Sequence, residues 1–532
     1  MPASALPPDL IAPIRLGYGV HPRGAGAAES TARLRRGGLA AWLDWQLAPD
    51  ERADADCDAR LAALRLPIKY PATPDHPAVD EPRGLITLGQ PIETLWPIAI
   101  DNKSPGPERM RPRQELAAAQ VTRAVWSVWG LRELMVDFWH THFNVFANEP
   151  RTAAALPSYD RDVMRRHWAG NFRLLLEAVA TSAAMQVYLN NRSSRAGAAN
   201  ENYARELFEL HTLGRDAYLN ALYNRWRDVP GALQGQPQGY IDQDVYEAAR
   251  AFTGWSIEDG QGLGGDRKLP QSGRFTYQES WHDGYQKRVL ATEFDPFQGP
   301  LADGRKVLDL VAYHPATARH LCVKLCRRLV GDAPPETLVN AAVETWVKTR
   351  TRPDQIAQVI RTIVLAQEFA HPAHPRIKRP IELVASFVRA FGIEFVVTDR
   401  LLNELEASGQ RLFTFPTPDG LPDDDTAWLG TNALRHRAGL LIGIADNSFG
   451  TGGIDPAGAP PHMPVETLAV SCLDRLLPGG LVPAERARIA QAIVGGLGLP
   501  PGQPLAAAGK DAGALARRLP AYAALSAPFQ YR

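Results

Sequence analysis

The sequence predicts a mostly α fold: a multi-helix globular array with a small hairpin or lid inserted, rich in glycine and aromatic residues. Three observations support this prediction. Apolar residues recur at helical spacing in many segments along the chain. Residues 255–300 are instead glycine-rich with alternating aromatic residues, which is typical of a short hairpin or an extended lid. No repeat of fixed period and no dinucleotide-binding or Walker phosphate loop occurs.

Helices are predicted along most of the chain. Residues 28–66 are predicted helical, the proline-rich residues 67–113 are predicted to be loop or connector, and a long helix is predicted over 114–143. The further predicted helices cover residues 160–190, 200–214, 242–254, 315–330, 335–350, 353–368, 379–392 and much of the C-terminal part. Residues 215–241 are a Gly/Pro-marked insertion, and residues 412–430 are a loop with strong turn chemistry.

The chain has 532 residues, a length that suits roughly two to four domains of about 100–200 residues each. We predict four regions. They are N-terminal helices with a proline-rich connector (1–113), a central helical region carrying the motifs and the lid (114–305), a further helical region (306–400), and a C-terminal region of loop and helices (401–532).

Composition argues against one class of partner. Lys plus Arg and Asp plus Glu both number 58, so the formal net charge is zero and nucleic-acid binding has no compositional support. The four cysteines form no CxxC pair and no zinc-finger spacing. Cys322 and Cys326 lie one helical turn apart, which predicts two small apolar residues on a buried helix face; the alternative is a redox or metal role.

The N-terminal segment MPASALPPDLIAPIRLGYGV has neither a charged n-region nor a sustained apolar h-region. No window reaches the roughly 18 consecutive apolar residues that a membrane-spanning helix needs. The sequence therefore predicts a soluble protein without a membrane span, and by absence of a signal a cytoplasmic one.

A buried histidine is predicted at the end of the long helix. Its apolar stripe comprises Val121, Val125, Val128, Leu131, Met135, Phe138 and finally His142. His140 lies on the other side of the helix, near Asp137. His140 and His142 are candidate metal ligands only if the helix ends near Trp139 and the chain becomes extended. The alternative is a core histidine bonded to a backbone carbonyl, with His140 at the surface.

The segment NENYARELFELHTLG, residues 200–214, has two interpretations. Arg205 is spaced to pair with both Glu201 and Glu209, as on an exposed helix face. Against that, His211 falls in the apolar arc, and Glu206 and Glu209 are one turn apart, close enough to share a cation or a proton. Asn202 is a poor mid-helix residue, although it is ordinary in a first turn, and Gly214 is a plausible stop.

Two further segments carry candidate groups. Asp244 and Glu247 are spaced as a helix N-cap and its partner three residues on, with Arg250 positioned to pair with Glu247. In SWHDGYQK, the neighbours His282 and Asp283 lie in a glycine-bearing loop that also contains Trp281, Tyr285 and Lys287, and they could line a pocket.

The order and spacing of several blocks resemble those of a large bacterial family, domain of unknown function 1800. The blocks are FWHTHFNVF, MQVYLNNRSSRAGAANENYARELFELHTLG, YEAARAFTGW, HDGYQK, HPATARHLCVKLCRRLVGDAPP, IKRPIELVASFVRAFG and FTFPTPDGLPDDDTAWL. The resemblance covers roughly residues 15–460 and implies no assigned activity. Many members look exported, which makes a periplasmic or secreted location the alternative to a cytoplasmic one.

This chain departs from the family pattern in three respects. It shows no leader, it has an insertion at residues 217–238, and Asn190 stands where the family usually has Asp. The family motifs coincide here with polar residues His140, His142, Asn202, Glu206, Glu209, His211, His282, Asp283 and Lys287. The resemblance therefore implies a buried polar network, functional or structural, in which Arg205 is the expected partner of Glu201 or Glu209.

The leading hypothesis is an enzyme, a carboxylate/histidine-based hydrolase that is metal-assisted if a divalent metal is bound. Its substrate class is a small molecule or a polymer such as a glycan. The candidate catalytic residues are Glu206, Glu209, His142, His282 and Asp283, the candidate binding residues are Asn202, Arg205, His211, Trp281 and Lys287, and the candidate metal ligands are His140 and His142. One alternative is a non-catalytic binding or assembly protein with a structural polar network, and another is a redox metalloprotein.

Overall fold

The amphipathic segments form helices at nearly the predicted places, so the protein is mostly helical with small two-stranded antiparallel sheets. The computed structural model describes residues 8–20, 25–50, 54–370, 375–500 and 502–532. Residues 1–7, at the start of the N-terminal segment that lacks the features of a signal peptide, lie outside the described residues. Residues 51–53, within the predicted helical region 28–66, also lie outside them.

The helices of the first half are Pro8–Leu16, Ala25–Leu47, Ala55–Ala63, Ile92–Ile100, Gly106–Trp126, Gly130–His142, Pro150–Ser158, Arg165–His167, Phe172–Ala180, Ala183–Tyr188, Glu201–Glu206 and Asp242–Ala251. Those of the second half are Ala302–Ala312, Pro315–Leu329, Glu336–Lys348, Gln355–Val364, Gln367–Ala370, Pro380–Phe391, Asp399–Ala407, Thr431–Ala445, Val465–Leu476, Pro483–Gly496, Ala512–Ala524 and Ala527–Gln530. Tyr159–Met164 and Leu207–His211 are π-helical segments, and the predicted insertion after residue 214 forms a series of short 3-10 turns.

Strands pair only as short ribbons in the described part of the chain. The pairs are Arg65–Tyr70 with Val79–Gly84, Trp255–Asp259 with Gln271–Tyr277, Gly262–Gly264 with Arg267–Lys268, and Lys287–Val289 with Thr292–Phe294. Three of these four ribbons lie within residues 255–300, where the sequence predicted a hairpin or lid, and that prediction is confirmed.

The prediction that residues 67–113 are loop or connector is wrong. This stretch contains most of the first ribbon, the whole helix Ile92–Ile100 and the start of the next helix. Prolines are tolerated because Pro67 faces Pro82 across an isolated two-stranded ribbon, where outward-facing N–H groups have no further strand to pair with. The proline count alone therefore misrepresents this region.

The single long helix predicted over residues 114–143 is two helices, separated at Ser127–Trp129. Ser127 is extended, its hydroxyl donates to Asp54 Oδ2 at 2.6 Å, and the Val128 N–H donates to Asp54 Oδ1 at 3.0 Å. The buried aspartate thus satisfies backbone and side-chain donors at the break. The second helix still runs through His142, which is buried as predicted.

One continuous apolar core extends from Ile11 to Phe529 and includes residues of all four predicted regions. Charged groups are also buried in it. Among them are Asp137, Arg328, Arg379 and Glu382, each 2% exposed, which pair with one another at 2.9–3.5 Å. The four cysteines are free and buried, as predicted for Cys322 and Cys326. None of the described helices is both long and apolar enough to cross a membrane.

Candidate active site

The helix Glu201–Glu206 begins at an asparagine. The Asn200 side chain accepts a hydrogen bond from the Asn202 N–H at 2.9 Å, so Asn200 is the N-cap and Asn202 sits in the first turn, where asparagine is ordinary. Arg205 lies 3.2 Å from Glu201, as the spacing predicted. Glu201 and Asn202 are exposed, so this end of the helix is a solvated face rather than part of a buried network.

After Glu206 the helix widens into the π segment Leu207–His211. Its end is held by the Gly214 N–H, which donates to Phe208 O at 3.0 Å. Helical spacing predicted an ion pair between Arg205 and Glu209, and that prediction is wrong, because the widened turn changes the angular position of Glu209. Glu209 accepts from Arg215 at 2.8 Å instead. π segments occur frequently at functional sites.

Gly214 is required at the end of this segment for two reasons. Its φ of +89° favours glycine, and a Cβ at this position would lie 2.7 Å from His320 Nδ1. The turn after the π segment therefore packs directly against the imidazole of His320, which comes from the helix Pro315–Leu329.

Three histidines and a lysine meet beneath this turn. His142 Nε2 lies 3.2 Å from the carbonyl oxygen of His211, and Lys324 Nζ lies 3.2 Å from His142 Nδ1. A carbonyl only accepts and an ammonium only donates, so His142 is the neutral tautomer with its proton on Nε2. His320 Nε2 lies 3.1 Å from Leu210 O. The rings of His211 and His320 are each centred 6.2 Å from that of His142.

Burial keeps all three imidazoles neutral. Together with the nearby charge of Lys324, it lowers the pKa of His142 well below its ordinary value, that of His211 to about 3 and that of His320 to about 4. Neither ring nitrogen of His211 has a hydrogen-bond partner among the described residues. The cluster is therefore one ammonium surrounded by uncharged rings.

A cavity of about 1230 Å³ opens above this cluster, and we call it the polar cavity. Glu209, His320 and Lys324 line it. Its charged lining residues are balanced, five cations and five carboxylates: Arg215, Lys306, Arg319, Lys324 and Arg327 against Glu209, Asp216, Asp309, Asp419 and Asp423. His142 lies directly behind Lys324.

Glu206 carries a carboxyl group suited to proton transfer near neutral pH. Burial, and then the neighbouring charge of Glu209, raise the pKa of Glu206 to about 7. Asp419 raises it further, whereas Arg215 opposes the shift. These three neighbours all line the polar cavity, whereas Glu206 lies behind the lining and is affected by their charges.

His140 lies elsewhere. The expectation that His140 lies at the surface is wrong, because it is buried and its Nε2 lies 3.0 Å from Asp160 Oδ1. The helix continues through His142, so His140 and His142 have different partners. Within the described ranges, no three His, Cys, Asp or Glu side chains are grouped so that they could hold a metal ion.

The lid residues form a separate network. Lys287 Nζ donates to Asp303 Oδ2 at 2.7 Å, and His282 Nε2 lies 3.3 Å from the same oxygen. His282 Nδ1 lies 2.9 Å from Thr253 O, and Trp281 is buried beside it. None of these side chains lines the polar cavity. The structure thus brings Glu206 close to Glu209, and His142 close to His211, and it places His282 and Lys287 outside both pairs.

Asp283, the remaining candidate residue of the lid, binds an arginine of the helix Asp242–Ala251. Asp283 accepts from Arg250 at 2.8 and 3.1 Å, and Arg250 also pairs with Glu247 at 2.6 Å, as the spacing predicted. The predicted cap is wrong by three residues. Ile241 is the N-cap, and the carboxylate of Asp244 accepts from the Ile241 N–H at 3.0 Å. Asp244 therefore has the role assigned to Glu247.

Sequence reasoning did not select His320, Lys324, Asp419 or Asp423. A signal for the first two exists, since both are polar, four residues apart, and carried by a helix with a buried apolar face. The two aspartates come from the loop of strong turn chemistry, where nothing in the sequence separates turn-forming aspartates from cavity-lining ones.

A comparison with protein-family models matches residues 12–498 to the family described as "Protein of unknown function (DUF1800)". The match spans every residue that lines the polar cavity. Neither the curated proteins nor the solved structures contain a match to this chain.

Proposed function

This chain belongs to the DUF1800 family, and from that premise we propose that it is a hydrolase whose carboxylates act as general acid and base at the polar cavity. One observation carries the proposal. Glu209, His320 and Lys324 line a single large cavity, with Glu206 and His142 next to them. Convergent titratable groups in a large concave site are the usual mark of an active site.

The two glutamates would have different roles because their surroundings differ. Glu206, with a pKa of about 7, is protonated in part of the molecules at neutral pH and can donate that proton to a leaving-group oxygen. Glu209 is paired with Arg215 and would accept a proton from the attacking water. The bond to the leaving group breaks as the bond to the water oxygen forms. Glu209 then releases its proton to solvent and Glu206 takes one up from solvent, which restores both groups for the next turnover.

Lys324 and the histidines would stabilise developing negative charge. Lys324 is the cation nearest the neutral cluster, and its ammonium donates to His142 while lining the cavity. A donor held in place in a poorly solvated site stabilises a transition-state oxyanion more than water does. His142 would orient this lysine and not react itself.

The substrate class follows from the balance of charge. Equal numbers of cations and carboxylates line the cavity, which favours an uncharged polar substrate over an anion or a cation. Tyr313, which is 39% exposed, lines the same cavity and offers an aromatic face. A glycan has this chemistry, with many hydroxyl groups and apolar sugar faces.

The test is hydrolysis of a panel of neutral polysaccharides and oligosaccharides, followed as release of reducing ends. We expect Glu206→Gln and Glu209→Gln each to lower the rate by about 10²- to 10⁴-fold, the usual range for general acid–base catalysis. Glu201→Gln is the matched control, since Glu201 lies on the same helix but is exposed and is not among the groups that shift the pKa of Glu206. Full activity in both glutamine variants would refute the acid–base assignment.

A non-catalytic binding protein is the second candidate. The observation that favours it is that cavity groups already have partners, as in Glu209 with Arg215 and Lys324 with Asp423. In that case the wild-type protein would bind oligosaccharides and release no product, and the glutamine variants would change affinity alone.

A further inference from the structure

A second large cavity lies away from the polar cavity. Its volume is about 1040 Å³, and we call it the apolar cavity. One side is formed by the segment around Tyr18 and by the helix Pro380–Phe391, and the other by the last helices of the chain. The leucine and isoleucine side chains on the side of the last helices are Leu476, Leu477, Leu481, Ile489, Ile493 and Leu525. The two cavities share no lining residue.

The charged residues of the apolar cavity have an excess of cations, unlike those of the polar cavity. The five cations are Arg15, Lys378, Arg475, Arg488 and Arg532, and the two carboxylates are Glu382 and Glu485. Arg475 and Arg488 are exposed and form the rim, whereas the other three cations are buried. An apolar wall with buried cations is complementary to an amphipathic anion.

Lys378 is the most informative of these residues. It is only 4% exposed, and its Nζ lies 3.5 Å from the centre of the Phe529 ring. Within the described part of the chain, no carboxylate lies within the 4 Å ion-pair distance of this ammonium. A buried ammonium without a carboxylate is unfavourable unless another anion is supplied.

The backbone at Lys378 fixes the position of this side chain. The Lys378 N–H donates to Gln530 O at 2.8 Å, and Lys378 O accepts from Arg437 at 2.7 Å. The nearby carboxylate of Glu382 is already engaged, with Arg328 at 2.9 Å and Arg532 at 3.3 Å. The lysine is thus held at the cavity wall while the carboxylate closest to it is used by two arginines.

We propose that the apolar cavity binds a single-chain amphipathic carboxylate of the fatty-acid class. The carboxylate accepts from Lys378, and the hydrocarbon chain lies along the leucine and isoleucine wall. Arg15 lines the same cavity, and its Nε has no hydrogen-bond partner among the described residues, so a second donor is available for the second carboxylate oxygen. This inference goes beyond the proposed hydrolase and does not depend on it.

The test uses the fluorescent fatty acid cis-parinarate and its methyl ester with the full chain. We expect saturable binding of the acid and at least about tenfold weaker binding of the ester, which keeps the chain but loses the charge. Lys378→Met should weaken binding of the acid by a similar factor and leave binding of the ester nearly unchanged. Lys348→Met, at an exposed helical lysine, and Lys306→Met, at an exposed lysine that lines the polar cavity, should bind the acid as the wild type does.

Each other outcome overturns the proposal. Equal affinity of the wild-type protein for acid and ester, or no saturable binding of the acid, would mean that the cavity does not recognise a carboxylate. Loss of acid binding in Lys306→Met with retention in Lys378→Met would assign the probe to the polar cavity. If Lys378→Met does not fold, the comparison of acid with ester on the wild-type protein decides the question alone.

Discussion

Lys324 Nζ lies 3.2 Å from His142 Nδ1, so a charged ammonium donates a hydrogen bond to a buried, uncharged imidazole. The same ammonium lies 3.5 Å from Asp423. The lysine thus connects the floor of the polar cavity to a histidine that is 2% exposed. Its charge lowers the pKa of the three clustered histidines, in addition to the larger effect of burial.

Replacing this lysine should therefore change the titration of the histidines. In Lys324→Met we expect the pKa of His142, His211 and His320 to rise, yet to stay below the ordinary value of about 6.5 because burial remains. The measurement is a pH titration of the histidine ring protons by NMR. Lys348→Met is the control and should leave the histidine titrations unchanged. Unchanged histidine pKa values in Lys324→Met as well would show that Lys324 does not act on these rings.

The free energy of unfolding should decrease as the pH falls below neutrality, because His211 and His320 are buried in their neutral form. His211 titrates at about 3 in the folded protein and at about 6.5 when unfolded. Between these values the unfolded chain binds the extra proton, so the free energy of unfolding decreases as pH falls, by about 1.4 kcal/mol per pH unit for each such histidine. The same argument applies to His320 between about 6.5 and 4.

The contribution of His211 is isolated by substitution. His211→Leu should reduce the slope of the unfolding free energy against pH by about 1.4 kcal/mol per pH unit, the contribution of one proton. The slope is measured by urea unfolding at several pH values between about 4 and 6.5. His462→Leu, at an exposed histidine, is the control. An unaltered slope in His211→Leu would contradict the assignment, whatever its effect on stability at a single pH.

A chain of ion pairs joins the two cavities, half-buried at Lys324 and Asp423 and buried beyond them. It runs from Lys324 through Asp423, Arg379, Asp137 and Arg328 to Glu382, with contacts of 3.5, 3.3, 3.5, 3.0 and 2.9 Å. Each carboxylate in the chain lies between two cations. The charges are therefore compensated only as a set, and removing one leaves its neighbours buried without a partner.

Among the residues of this chain of ion pairs, Asp137 should have the largest effect on the free energy of unfolding when it is replaced. Asp137→Asn leaves Arg328 and Arg379 without a shared carboxylate, and we expect the free energy of unfolding to fall by about 3–5 kcal/mol. Asp80→Asn is the control, because Asp80 pairs with Lys69 at the surface, where about 0–1 kcal/mol is expected. Urea unfolding of both variants provides the comparison, and equal stability of the two would exclude a compensating role for Asp137.

Of the four helices that helical periodicity predicted between residues 315 and 392, three are correct to within two residues, because each has a buried apolar face. The helix predicted over 353–368 ends earlier, at Val364. Helical periodicity failed at Glu209, since a regular angle per residue does not anticipate a π turn. It also failed at Lys324, whose importance comes from His142, 182 residues away. Glu209 and His142 could be selected as candidate site residues from their residue types, whereas their hydrogen-bond and ion-pair partners depend on tertiary packing.

Gly214 is the point at which local geometry positions the site, and alanine there should disturb it in two ways. Gly214→Ala adds strain at a positive φ and places a methyl group against His320. Gly235→Ala has a similar positive φ of +68° and no atom within 4 Å of the new Cβ, so it reports the strain alone. We expect Gly235→Ala to lower the unfolding free energy by about 1 kcal/mol and Gly214→Ala to lower it by about 1–3 kcal/mol more.

The contact between the new methyl group at position 214 and the ring of His320 can also be observed directly. Its NMR resonances should shift in Gly214→Ala and stay in place in Gly235→Ala. Identical losses of stability in the two alanine variants, with unchanged His320 resonances, would mean that the turn does not hold the imidazole.

Glu206 should destabilise the folded protein once it ionises. Its pKa is about 7 when folded and about 4.3 when unfolded. Between these values the folded protein holds the extra proton, so the contribution of Glu206 to stability is largest below pH of about 4.3 and is lost as pH rises through about 7. Solvent screens this half-buried carboxyl, which limits the effect.

Glu206→Gln should therefore be more stable than the wild type at alkaline pH by less than about 1 kcal/mol, with the advantage declining as the pH is lowered. Thermal and urea unfolding at two pH values measure it, with Glu201→Gln as the exposed control. Because Glu209 raises the pKa of Glu206, Glu209→Gln should shift the titration of Glu206, followed by carbon-13 NMR of the carboxyl group, to lower pH. A titration unmoved by Glu209→Gln would separate the two carboxylates and remove the physical basis for giving them complementary acid and base roles.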